Sequence, residues 1–172
     1  MQMSEEFAFI NHWNDHNPDK QIRYYNHLAE FVLDEAGIDE AIHGTPLAMT
    51  SWIASDGSPR SIAVPFAILD DGCVYFTAVP SQAIAKSIAR DPRISMCWAY
   101  GAGAVTLRGQ AEIISDDKLT ATVCDESAKQ RYPADSDKAT RLAVKLKSSE
   151  RVSIKVTTDK YITFNGANLP RD

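Results

Sequence analysis

Between residues 47 and 115, short apolar runs alternate with polar positions, and glycine or proline steps separate the runs. A period of two marks strands that bury one face. The pattern predicts strands at Leu47–Ala54, Arg60–Leu69, Cys73–Ala78, Ile94–Ala99 and Ala104–Ile114. Asp56-Gly57 and Asp71-Gly72 separate the first three runs. Such steps favour tight hairpins, because glycine accepts the positive φ that the turn needs. Ser81–Ala89 reads as a short helix with Ser81 as its N-cap, stopped by Asp91-Pro92. Gly109 falls inside the longest apolar run. A glycine there predicts a bulge or a close backbone approach.

The flanks read as helical. Phe7–Trp13 is a short aromatic piece broken by Asn17-Pro18-Asp19. From Gln21 to Ala36, the residues Ile22, Tyr25, Leu28, Ala29, Val32 and Leu33 recur at helical spacing, with Gly37 as the stop. Asp39–His43 is a further short helical piece, and Pro46 hands the chain to extended structure. Asp116 is placed to cap a helix through about Lys129. Asp135–Leu146 predicts another helix, and Val152–Thr157 and Tyr161–Asn165 two closing strands. Strands joined by turns rather than crossover helices define an α+β fold. About six to seven short strands predict a closed or nearly closed antiparallel barrel with flanking helices. The length of 172 residues fits one domain, with residues 1–46 as a helical extension and 47–165 as the barrel.

Composition narrows the function classes. The formal net charge of −5 argues against a nucleic-acid partner. No apolar run reaches the ~18 residues of a membrane span, so no membrane association is expected. The opening Met1-Gln2-Met3-Ser4-Glu5-Glu6 lacks the basic and apolar parts of a secretion signal, which predicts a cytoplasmic protein. Cys73, Cys97 and Cys124 are too few and too widely spaced for a disulfide framework or a zinc pattern, and Cys73 and Cys97, in predicted strands, read as small packing residues. His12 and His16 stand four apart, but no metal site is expected, because no third ligand accompanies them. His27 and His43 have no motif around them.

One end of the predicted meander collects phosphate-binding groups. Arg60 opens the second strand, and its planar guanidinium matches a phosphate with paired donors. Thr77 stands near the end of the third strand, Ser81 and Lys86 follow it, and a helix beginning at Ser81 would point backbone N–H groups at an anion. Arg60 and Lys86 equally fit solvated surface charges. Trp52, Trp98 and Tyr100 could wall a ring-shaped ligand or pack as core.

Four blocks in order carry a resemblance to a known family. They are Asp56–Phe66, Asp71–Thr77, Ser81 through Met96, and Val105–Ile114. Together they resemble the pyridoxamine 5'-phosphate oxidase-like, FMN-binding split-barrel superfamily over roughly Leu47 to Asn165. The resemblance implies a split barrel that dimerises. It implies FMN as cofactor, with Arg60, Ser81, Gln82 and Lys86 at the phosphate. It further implies that Ser61, Ile62, Ala63, Val64, Phe76 and Thr77 lie along the flavin.

Two departures qualify what the resemblance implies. The family's helix carries Ser-x-Lys, whereas Ala83 follows Gln82 here and the nearest lysine is Lys86. Pro65 stands where the vitamin B6 oxidases keep a basic residue, and the C-terminal stretch from Phe164 holds only Arg171. The expected function is therefore a homodimeric flavoprotein, an FMN-dependent oxidoreductase of an unidentified small molecule, and not an authentic vitamin B6 oxidase. A deazaflavin-dependent reductase, or a non-catalytic flavin- or haem-binding module of the same fold, remain alternatives.

Overall fold

The computed structural model describes residues 31–168. Helix α1 (Glu35–His43) leads into β1 (Ala48–Ile53), β2 (Pro59–Val64), β3 (Ala67–Ile68) and β4 (Val74–Ala78). Helix α2 (Ala83–Arg90) follows, then β5 (Arg93–Tyr100) and β6 (Gly103–Ile114). Helices α3 (Asp117–Arg131) and α4 (Ser136–Lys147) precede β7 (Val152–Asn165). A short 3₁₀ turn, Gly166–Asn168, ends the described chain. The expected helical pieces before residue 31 lie outside the described residues.

The seven strands form one antiparallel sheet in the order β2-β1-β5-β6-β7-β4-β3. Its two outermost strands, β2 and β3, are neighbours in sequence, joined only through Pro65-Phe66. So short a link brings the two ends of the sheet together, and the sheet curls into a split barrel. The sequence pattern predicts one continuous strand over this region, whereas the structure breaks it. Pro65 lacks the N–H a ladder needs, and Phe66 leaves the strand path to become fully buried. Its ring meets Trp98 edge-on, with centroids 5.4 Å apart.

Both Asp-Gly turns form as predicted and share one design. Gly57 and Gly72 have φ of 80° and 72°. The preceding carboxylates, Asp56 and Asp71, accept the backbone N–H of Ser58 and Cys73 at 3.0 and 3.1 Å. Cys73 thus belongs to the turn and not to the strand.

Inside the barrel, Ala48, Thr50 and Trp52 of β1 face Ile94, Met96 and Trp98 of β5, and all are buried. Ile84, Ala85 and Ile88 of α2 join this core. The bulge expected at Gly109 is present as a register shift between Arg108 and Gly109 against β7. A Cβ on Gly109 would lie 2.1 Å from the Thr157 carbonyl oxygen, so only glycine fits that approach.

Aspartates cap three helices: Asp34, Asp116 and Asp135 accept the N–H groups of Gly37, Leu119 and Lys138. Gly37 therefore lies in the first turn of α1 and does not stop a helix there. Helix α3 lies over β3, β4 and β7, and α4 packs on α3 through Ala128, Ala139 and Ala143. The last two predicted strands are one, because β7 runs beside the whole of β6 along one edge and pairs with β4 through Val152–Val156 along the other.

Candidate functional site

The split leaves two strand edges open. β2 ends the sheet order and pairs only with β1. Arg60, Ser61, Ile62 and Ala63 are exposed, and only Val64 turns into the core. Ile62 lies opposite the fully buried Thr50, yet is 42% exposed, so the barrel interior opens at this strand. On the other side, β3 covers β4 only at Tyr75 and Val74. Past Tyr75, that edge of β4, from Phe76 to Ala78, has no strand beside it. Among the described residues, no strand pairs with either edge.

The side chains named from sequence divide in their roles. Phe76 is buried in the core. Thr77 turns away from the barrel interior and accepts a 3.3 Å hydrogen bond from Arg151 Nη1. Only the backbones of these two residues remain available to a ligand at the open edge. Ser61 hydrogen-bonds Ser51 on the outer face at 3.1 Å. Trp98 is fully buried and Trp52 nearly so, which makes both core residues and not walls of an open slot.

Three buried polar atoms lie in this region: Thr50 Oγ1 and the indole N–H groups of Trp52 and Trp98. None has a protein partner among the described residues. Buried polar groups normally find a partner. Thr50 lies directly across from Ile62, so one orphaned hydroxyl sits at the open β2 edge.

The predicted phosphate cluster is spread along α2. The helix begins at Ala83, and its N-cap is Gln82 in place of Ser81. The Gln82 amide side chain reaches back to accept the Val79 N–H at 3.1 Å, which fixes the preceding turn and leaves Ser81 outside the helix. At the far end, Arg90 Nη2 donates to the Ile53 carbonyl at 2.7 Å. Arg60 lies across from Trp52, one residue away, so Arg60 and Arg90 flank the same end of β1. Eight helical residues span about 12 Å, which separates this end from Ser81 and Gln82. Lys86 is exposed, on the helix face it shares with Arg90 four residues on. Arg90 is the cation that sequence reasoning missed, and its signal was that same spacing.

A cleft of about 520 Å³ opens beside β3. Ala67 and Ile68 line one side, with Lys129, Gln130, Tyr132 and Ser136 opposite. Gln130 ties α3 to the end of α1, its Nε2 donating to the His43 carbonyl at 2.9 Å. His43 is paired with Asp39 at 3.1 Å. No sequence signal marked this cleft, because its walls meet only in the folded chain. Among the described residues, no cluster of His, Cys, Asp and Glu suits a metal ion. Cys124 is buried, which pushes its thiol up.

No curated protein matches the chain. Among solved structures, a conserved hypothetical protein from Mycobacterium tuberculosis superposes with a TM-score of 0.71 at 20% identity, covering 84% of this chain and 93% of that one. An F420 reductase gives 0.53 at 22% identity, covering 72% and 94%. A haem storage protein from Vibrio cholerae gives 0.57 at 13% identity, covering 76% and 94%. At such identities the likeness is one of fold, and it places the curled seven-stranded sheet among split barrels. The family model described as pyridoxamine 5'-phosphate oxidase matches residues 35–164. That span runs from the first residue of α1 to within one residue of the end of β7, and the chain belongs to the pyridoxamine 5'-phosphate oxidase family.

Proposed function

We propose that the protein is an FMN-binding flavoprotein that works as a homodimer and carries out flavin-dependent oxidoreduction of a small molecule. The observation that carries this reading is the pair of open strand edges, β2 and the end of β4, in a chain of this family. A flavin's pyrimidine edge needs alternating donors and acceptors, and the backbone from Ser61 to Val64 offers them. Backbone groups at Phe76 and Thr77 would serve the same ring from the facing edge. The orphaned Thr50 hydroxyl is a further polar group that a ligand or water at this edge would satisfy. Arg60, with Lys86 on the exposed face of α2, offers cationic donors to a phosphate, while Ser81 and Gln82 offer donors about 12 Å away at the other end of the helix. Bound FMN supplies the hydride chemistry, and the protein's part is to hold and orient it.

The dimer reading rests on the outer face of the sheet. Ala63, Met49, Cys97, Thr106 and Ile162 form one row across β2, β1, β5, β6 and β7. Met49 and Ile162 remain 46% and 37% exposed. A second copy of the chain would cover this row.

Deazaflavin and haem are the competing ligands, since an F420 reductase and a haem storage protein share the fold. His43, the one histidine among the described residues, is held by Asp39 at the surface, which disfavours haem. The test is the purified protein's absorption and the identity of the released chromophore. Flavin bands, release of FMN, bleaching by a nicotinamide donor and reoxidation by air are expected. A colourless protein that takes up no added FMN refutes the reading.

A further inference from the structure

We infer that Arg151 is a positioning residue: it grips Thr77 from behind and so fixes the main-chain groups that β4 turns toward its open edge. The inference rests on the flavin reading for what binds there, and adds to it a residue that orients the ring. The direction of those groups follows from the ladder. Leu69 N–H donates to the Cys73 carbonyl at 3.3 Å, so the main chain of Cys73 faces the β3 side. Along an antiparallel strand, successive residues direct their N–H and C=O to alternate sides. Tyr75, paired with Ala67, therefore faces β3, and Thr77 faces the same way, where β3 has ended. Carrying the register on would set Pro65 opposite Thr77, and proline has no N–H to give the Thr77 carbonyl. Ala78 points the other way, to Val152 of β7. The far side of β7 agrees with this phase. Ala111, across from Val156, gives its N–H to the Pro92 carbonyl at 2.8 Å, which leaves Val156 to bond Val74 of β4.

Arg151 immediately precedes β7. Its Nε donates to the Leu146 carbonyl at 2.7 Å, in the last turn of α4, where the carbonyl end of the helix favours a cation. Its Nη1 donates to Thr77 Oγ1 at 3.3 Å. Both bonds are partly buried, and neither partner is a carboxylate. The guanidinium is planar and rigid, so anchoring Nε limits where Nη1 can reach. Arg151 thereby ties the end of α4 to the side chain of the residue whose main chain faces the open edge. Hydrogen bonds weaken steeply as their angles bend. A Thr77 free to rock about its strand would therefore hold a ring at this edge less well.

The test measures FMN and riboflavin binding to the full-length Arg151→Met, Thr77→Val and double variants by quenching of flavin fluorescence. Arg151 acts on the ring and not on the phosphate. Arg151→Met should therefore weaken both ligands by the same factor, about three- to tenfold, the worth of one ordinary hydrogen bond. Thr77→Val keeps the main chain, removes the hydroxyl and should give the same loss. The double variant should be no weaker than either single one, because all three break one contact. The visible band of the bound flavin should shift in each variant, which a general loss of stability would not cause. Unchanged affinities, a loss confined to FMN, additive losses in the double variant or an unmoved flavin band overturns the inference. A second readout needs no flavin. In the flavin-free protein, hydrogen exchange at the Ala78 N–H should be about three- to tenfold faster in Arg151→Met, with Val74, at the other end of the β4–β7 ladder, unchanged. Equal exchange at Ala78 overturns the inference whether or not flavin binds. A protein that takes up no flavin, yet shows the faster exchange, refutes the flavin reading and leaves Arg151 as the residue that fixes this edge.

Discussion

Arg60 and Asp56 face each other across the first hairpin turn, Nη2 to Oδ2 at 3.3 Å. Hydrogen bonds from Ser58, and then the Arg60 charge, hold the Asp56 carboxyl down at about 2. Asp56 is thus an anion at any ordinary pH and competes for the guanidinium that a phosphate would use. Both side chains are more than half exposed, so the pair is weak and exchangeable. Arg60→Ala should weaken FMN binding about tenfold to a hundredfold, the equivalent of ~1.5–3 kcal/mol for a hydrogen bond to a charged group. Riboflavin, which lacks the phosphate, should bind unchanged. Quenching of flavin fluorescence measures both, and equal losses would remove Arg60 from the phosphate.

Lys86 and Arg90 lie along one exposed face of α2, and a lysine stem is flexible enough to reach a phosphate near either end. Lys86→Ala should weaken FMN binding at low salt, and the difference from the unaltered protein should shrink as salt rises, because exposed charges are screened. An unchanged dissociation constant at low salt would leave Lys86 as a solvated charge.

The exposed row through Met49 and Ile162 predicts a dimer. Light scattering should give twice the 19.0 kDa of the chain. Met49→Asp, a charge placed in that row, should yield monomers that keep their helical and sheet content. A monomeric unaltered protein would refute the assembly.

Gly109→Ala tests the bulge. The new methyl would meet the Thr157 carbonyl oxygen, a backbone atom that cannot swing aside. Overpacking of this kind costs about 1–3 kcal/mol. For a chain of this length the melting temperature should fall by roughly 2–12 °C. A variant as stable as the parent would show that β7 yields at this point.

Asp71 accepts the Tyr75 hydroxyl at 2.8 Å and pairs with Lys155 at 2.8 Å. The bond from Lys155, then that from Tyr75, lowers its carboxyl from 3.8 to about 2. A carboxyl depressed on folding contributes stability that is full above its unfolded value and is lost as pH falls through its folded value. The window is therefore between about pH 4 and pH 2. Denaturant unfolding at pH 5 should show Asp71→Asn weaker by about 1 kcal/mol, allowing for partial exposure. At pH 2 the two proteins should converge.

Period-two alternation and the two Asp-Gly turns were enough to read the strands and hairpins, because both signals are local. Gly109 was legible for the same reason. The break at Pro65-Phe66 was not, since apolar residues continue on both sides and only the need of Phe66 to meet Trp98 explains it. The merging of the last two predicted strands also depends on a partner, β6, which lies far away in sequence. At the site, Arg60 was visible as a cation at a strand start. Its rival Asp56 reads from sequence only as a turn residue, and Arg90 carries no local signal of its bond to Ile53, which joins distant segments. The β3 cleft is a product of tertiary packing alone.

β7, the last strand among the described residues, sits between β6 and β4 near the middle of the sheet order. Until it emerges from the ribosome, β6 and β4 each lack a neighbour, and the two-residue link from β2 to β3 cannot draw the sheet closed. Nascent chains shorter than about residue 165 should hold separate hairpins with bare edges, vulnerable to pairing with other chains. Fusing a slow-folding tag after the C-terminus, or pausing translation inside β7, should therefore raise aggregation more than the same manipulation placed in the helices before it.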